Sequence, residues 1–163
     1  MLERWMVTML KTPPATADTV GAPFARRDLA AAVLLLEVAQ CDRGVGPEET
    51  TTIERIVRER LGAGVESAKA LIAAARTEFD ASLDDWIFAA AVREGFDPVE
   101  RIAIVGEMWD VVYVDGHLEG LEEAMMQRLG GELGIADADF EAARAQAFAR
   151  HGPPPRRSHE AGE

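Results

Sequence analysis

The chain has a single cysteine, no long apolar run and few basic residues for its many acids. Each shortage removes a class of function. Cys41 alone forms neither an internal disulfide nor a thiolate zinc cluster, and such sparing use fits a reducing compartment. No apolar stretch approaches the roughly 20 residues of a membrane span. The first eleven residues hold neither the apolar run nor the small-residue cleavage site of a signal peptide. Lys and Arg number 17 against 29 Asp and Glu, a formal net charge of −12. Phosphate backbones and anionic membranes are held by basic patches, so nucleic acid is not an expected partner. Cations, basic proteins and plain solubility remain as reasons for the charge. The combined expectation is a cytoplasmic protein.

What is present reads as helix. With 163 residues, one domain is the default, and a chain of this size buries about 70% of its unfolded surface. Leu2 to Lys11 predicts a short amphipathic helix with Trp5, Met6, Met9 and Leu10 near one face. Its charged residues make no basic face, so docking on the domain is favoured over a membrane surface. Residues 12–25 turn to Pro, Thr, Ala and Gly, a linker composition.

Asp28 to Gln40 is apolar all round and predicts a buried helix. Pro47 opens the next, with Ile53, Ile56, Val57 and Leu61 as its stripe and Gly62 and Gly64 as its stop. A third helix is predicted over Val65 to Arg76, and a fourth over Asp84 to Glu94 with Ser82 as its N-cap. Asp97 caps and Pro98 opens a fifth, which runs largely buried to Val114. Leu121, Met125, Leu129 and Leu133 mark a sixth, weakened towards its end by Gly130, Gly131 and Gly134. Asp137 caps a last helix through Phe140 and Phe148. Residues 26–150 form the expected helical domain, and 151–163 are too poor in apolar residues for a core. No segment alternates with the period of a strand. The expected class is all-α, a compact bundle.

Two stretches interrupt this pattern with acids. Asp110 to Glu123 reads as a helix end, a tight acidic turn and a new helix, and Glu37 to Glu49 is a weaker copy. Placing Asp115 on Asp42 brings Asp110 onto Glu37 and Glu122 onto Glu49. The segment Asp115-Gly116-His117-Leu118-Glu119-Gly120-Leu121-Glu122 matches the second half of an EF-hand calcium loop. The first half is missing, since Val111 and Tyr113 stand where its first oxygen ligands belong. Neither turn is an EF-hand. A hard cation held by Asp115, Glu119 and Glu122 with waters, or by both turns converging, still fits this chemistry.

Asp110 and Glu37 are acids inside apolar helices, costly unless paired or metal-bound. The plainer reading pairs them with Arg101, Arg93 or Arg55. It leaves Glu48, Glu49, Glu122 and Glu123 to the helix dipole, and Asp42 and Asp115 to turn amides. His117 is expected in solvent, Cys41 in the core, and Trp5, Trp86 and Trp109 in the core or an interface. No phosphate-binding glycine loop, serine elbow or His-Glu zinc helix occurs, so no enzyme is expected.

The helix ending in Asp-Gly-x-aliphatic-acid-x-x-Glu, as Asp115 to Glu122 and degenerately Asp42 to Glu49, resembles the tellurite-resistance TerB-like family. The leading helix, the proline-containing loop and the Gly95 to Pro98 restart fit as well, and the resemblance spans residues 28–150. It implies a bundle of about seven helices with pseudo-repeated halves. It also implies an acidic, metal-binding module of a stress or tellurite-resistance system without catalysis, cytoplasmic or membrane-associated. The acidic set carried over is Glu37, Asp42 and Glu49 with Asp110, Asp115 and Glu122. The first copy departs from the pattern, because Arg43 follows Asp42 and Gly46 replaces an acid.

The leading expectation is a non-enzymatic module binding Ca²⁺, Mg²⁺ or Mn²⁺ and passing occupancy to a protein partner. The alternative is a metal-free adaptor using its acidic turns and an apolar helix face, with a homo-oligomer or peripheral membrane association as further partner states. A metal-assisted hydrolase ranks last, for want of a readable pocket.

Overall fold

A computed structural model describes residues 24–40, 46–62, 64–82, 86–114 and 120–151, the side chains of Gly120 and Leu121 excepted. Seven helices and no strand occur among the described residues. They are α1 (Arg26–Gln40), α2 (Pro47–Leu61), α3 (Val65–Ala81), α4 (Trp86–Gly95), α5 (Pro98–Tyr113), α6 (Gly120–Glu132) and α7 (Asp137–His151). The expected N-terminal helix, residues 12–23 of the linker and the tail beyond His151 lie outside the described residues. No helix among them is long and apolar enough to cross a membrane.

Two helices form the axis. Every residue of α1 from Ala30 to Val38 is buried, so this helix has no solvent face over its middle turns. In α5, Ile104 to Val112 is buried throughout except at Glu107. Around them, α3 and α4 pack on α1, α7 packs on α5, and α1 and α5 touch each other. Each fully buried Leu or Ile side chain contributes about 1.5–3 kcal/mol, so Leu34, Leu35, Leu36 and Ile104 alone anchor this centre. Trp109 of α5 is fully buried, stacked on Tyr113 at 5.5 Å and edge-on to Phe140 of α7 at 5.6 Å. Trp86 is half exposed.

The helix ends follow local chemistry. Gly62 closes α2 in the left-handed conformation with φ 59°, a region that costs other residues more. Asp97 caps α5 as expected, and Glu100 completes a capping box. The Glu100 amide donates to Asp97 Oδ1 at 2.8 Å, and the Asp97 amide to Glu100 Oε2 at 3.1 Å.

One expectation changes. Helix α3 continues to Ala81, because Phe79 extends the buried line of Ala68, Leu71 and Ala75 at helical spacing. Ser82 ends α3, and its hydroxyl donates to Glu78 O at 2.8 Å. Helix α6 runs through Gly130 and Gly131. It stops at Gly134, φ 70°, where Gly134 N donates to Gly131 O and Ile135 N to Gly130 O. That bond pair is a Schellman closure.

Candidate functional site at the acidic pole

The starts of α1 and α5 lie together. Arg27 donates to Gly95 O at 3.0 Å, and its guanidinium sits 4.8 Å from the Phe96 ring centre. These helices have 15 and 16 residues, about 23 Å at 1.5 Å per residue. Their other ends, at Gln40 and Tyr113, lead into the two acidic stretches, the acidic pole of the chain. Arg128 of α6 reaches the last turn of α1, with Nη2 2.9 Å from Glu37 Oε1. Helix α6, which follows the second acidic stretch, touches both α1 and α5.

Of the acids picked out from sequence, Asp42, Asp115 and Glu119 lie outside the described residues. Glu37 and Asp110 are both buried, as their apolar neighbours require, and both meet cations of the chain. Asp110 Oδ1 accepts from Arg150 Nε at 3.0 Å and lies 3.1 Å from His151 Nε2, both at the end of α7. His151, grouped with the tail from sequence, is thus a working member of the bundle. Glu122 is 7% exposed in the first turn of α6. Glu49 is half-buried at the start of α2, its carboxylate folded over Gly46.

The arginines named in advance as counter-ions go elsewhere. Arg55 pairs with Glu59 at 3.2 Å, and Arg101 donates to Leu133 O at 2.6 Å. Arg93 lies against Gly134. The last two stand at the C-terminus of α6, where exposed carbonyls and the helix dipole attract cations.

Burying a charge costs several kcal/mol per ion unless a partner offsets it. For Glu37 and Asp110 guanidinium groups supply that offset, and a metal ion at those oxygens would have to displace one. Among the described residues no group of three or more His, Cys, Asp or Glu is arranged to hold a metal. Of the remaining acids of the set, Glu49 and Glu122 are among the described residues, and Asp42, Asp115 and Glu119 are their sequence neighbours.

Two charged contacts of α5 had not been singled out from sequence. Glu107, one turn before Asp110, forms a two-pronged pair with Arg60 of α2 at 2.6 and 3.1 Å. Burial pushes its carboxyl above the usual range, only partly opposed by Arg60. Arg144 of α7 donates to the Tyr113 hydroxyl at 3.0 Å and to Glu123 Oε1 at 2.9 Å, with its guanidinium 4.8 Å from the Trp109 ring centre. The Tyr113 hydrogen bond first, and Glu123 after it, raise its pKa above the usual arginine value. Acids three apart in the apolar run of α5 were a readable signal for Glu107. Arg144 carried none, being one of several arginines on a polar helix.

An all-α bundle built on two buried helices is the class this architecture defines. A family model described as tellurite resistance protein TerB matches residues 28–145, and the chain belongs to that family. A solved structure of similar fold is a protein of unknown function from Porphyromonas gingivalis W83. It is 15% identical, with 77% of this chain and 91% of that chain covered at a TM-score of 0.56. No curated protein matches.

Proposed function

We propose that this chain is a non-enzymatic module of a tellurite-resistance-type stress response, taking a divalent cation at its acidic pole and passing that occupancy to a protein partner. The supporting observation is the Glu37–Arg128 pair, which ties the last turn of α1 to α6. Glu122 is buried on the same helix, and family membership fits a resistance system. In this reading Glu37 and Asp110 are internal supports held by arginines. Glu49 and Glu122, with Asp42, Asp115 and Glu119, offer the oxygens, a donor set that suits Ca²⁺, Mg²⁺ or Mn²⁺. The module works in the cytoplasm, and no catalytic residue is assigned.

A second reading, a metal-free adaptor, is favoured by one observation: the two most buried acids of the set already have guanidinium partners. Titration calorimetry with Ca²⁺, Mg²⁺, Mn²⁺ and Zn²⁺ on wild type, Asp115→Ala and Glu122→Gln separates the two. Heat with one of the first three ions, lost in both variants, supports the cation. Absence of heat and of any thermal shift leaves the adaptor.

A further inference from the structure

Towards the C-terminal end of α6 lies an open groove of about 340 Å³, formed where α6 meets the start of α7. Its floor is Phe140 and Ile135, and its sides carry Gln127, Asp137 and Glu141. Gly130 and Gly131 form the wall contributed by α6, and the two have different reasons to be glycine. A Cβ at Gly130 would stand 2.6 Å from the Phe140 ring, so close packing requires that residue. A Cβ on Gly131 would meet nothing within 4 Å. Glycine inside a helix costs about 0.5–1 kcal/mol relative to alanine, and neither packing nor a positive φ at Gly131 explains that cost. What its missing side chain does is leave the backbone of α6 open to the groove.

The charge of the groove is equally lopsided. Asp137 and Glu141 stand one turn apart on α7, and neither has an ion pair or hydrogen bond among the described residues. Arg101, Arg128 and Arg144 on the flanking elements are engaged with other groups, Leu133 O, Glu37 and Glu132, and Tyr113 and Glu123 respectively. An arginine side chain matches this place. Its aliphatic stem covers Phe140 and Ile135, while its fork reaches carboxylates spaced one helical turn apart. The volume is near the low end of about 300–1,000 Å³ typical of ligand pockets, enough for one such side chain and an apolar neighbour.

We infer that this groove is a docking site for a partner protein that presents an arginine beside an apolar residue. It lies about 16 Å along α6 from Gly120, reckoned at 1.5 Å per residue, and it stands or falls without the cation.

The test follows the backbone amides of Gly130, Gly131 and Ile135 by NMR in the full chain. The probe is an acetylated, amidated tripeptide of leucine, arginine and leucine, with a control carrying glutamate in place of arginine. The arginine peptide should shift these amides saturably and the glutamate peptide should not. Gly131→Leu, whose Cβ meets open space, and the double variant Asp137→Asn, Glu141→Gln should each weaken binding at least tenfold. The inference is overturned by no saturable shift, by equal response to both peptides, or by unchanged affinity in the variants. A third arm uses Arg156→Ala with Arg157→Ala and no peptide. If those substitutions alone move the Gly131 amide, the occupant is this chain's own segment and the partner assignment is wrong.

Discussion

Helices α1 and α5 each bury a carboxylate three residues before their last residue, Glu37 and Asp110, both 6% exposed. The two are answered differently. Glu37 is met by Arg128 from α6, a residue that also reaches Glu132 at 3.3 Å. Asp110 is met by two consecutive residues, Arg150 and His151, whose nitrogens converge on one oxygen. The first carboxylate therefore joins the two halves of the chain at the acidic pole. The second fastens the final helix across α5. Acids at matched positions in the chain thus hold different parts of the fold together.

The surroundings differ as well, and the largest predicted effect follows from that. Around α1 the core is aliphatic and rich in alanine, whereas α5 rests on Trp109 between Tyr113 and Phe140. Trp109→Ala should cost about 3–5 kcal/mol, read as a lowered urea midpoint with an unchanged slope. A loss below 1 kcal/mol would show that α7 does not depend on this ring.

Removing each guanidinium sharpens the contrast directly. A charged hydrogen bond to a buried group is worth about 1.5–3 kcal/mol. Arg128→Ala should cost about 2 kcal/mol on that scale. Arg150→Ala should cost about 1 kcal/mol, because His151 still faces the same Asp110 oxygen. Equal losses would contradict the asymmetry. Replacing Glu37 and Arg128 together by leucine should recover most of the loss, since an apolar pair carries no desolvation penalty.

Adjacent glycines of α6 provide a smaller pair of opposite signs. Gly130→Ala drives a methyl into Phe140 and should cost about 1–3 kcal/mol through overpacking. Gly131→Ala should stabilise by about 0.5–1 kcal/mol, since nothing opposes it. Thermal midpoints of the two variants, taken side by side, check both signs.

The smallest effect is one of pH. Burial raises the Glu107 carboxyl in the folded state, so protonation favours the fold. Its contribution is fully present below the unfolded value and is lost as pH rises through the raised folded value. Glu107→Gln should therefore flatten the stability profile as pH rises above the ordinary carboxylate range. A profile parallel to that of wild type over this range would sink the assignment.

Much of the helical order was legible because its signals are local. Pro47, Gly62 and the Asp97-Pro98 start act within one turn, and their effects appear where expected. The end of α3 falls beyond the expected Arg76, because Phe79 continues its apolar line at helical spacing. The burial of Glu37 and Asp110 was legible from their apolar company. Their counter-ions were not, since Arg128 is 91 residues from Glu37 and Arg150 is 40 from Asp110. No periodicity reaches that far. Gly131 carries the same lesson in reverse, being a helix weakness by propensity and an open wall in three dimensions.

The central claim is that both acidic stretches serve one cation at a shared pole. Substoichiometric Mn²⁺ added to the ¹⁵N-labelled chain tests it most directly, because a paramagnetic ion broadens the amides around it. The account predicts joint broadening at Glu37 to Gln40, Gly46, Glu48 and Glu49, Val112 to Val114 and Gly120 to Glu123, reversed by a chelator. Broadening confined to one of the two halves, or spread evenly over the acidic surface, would contradict it.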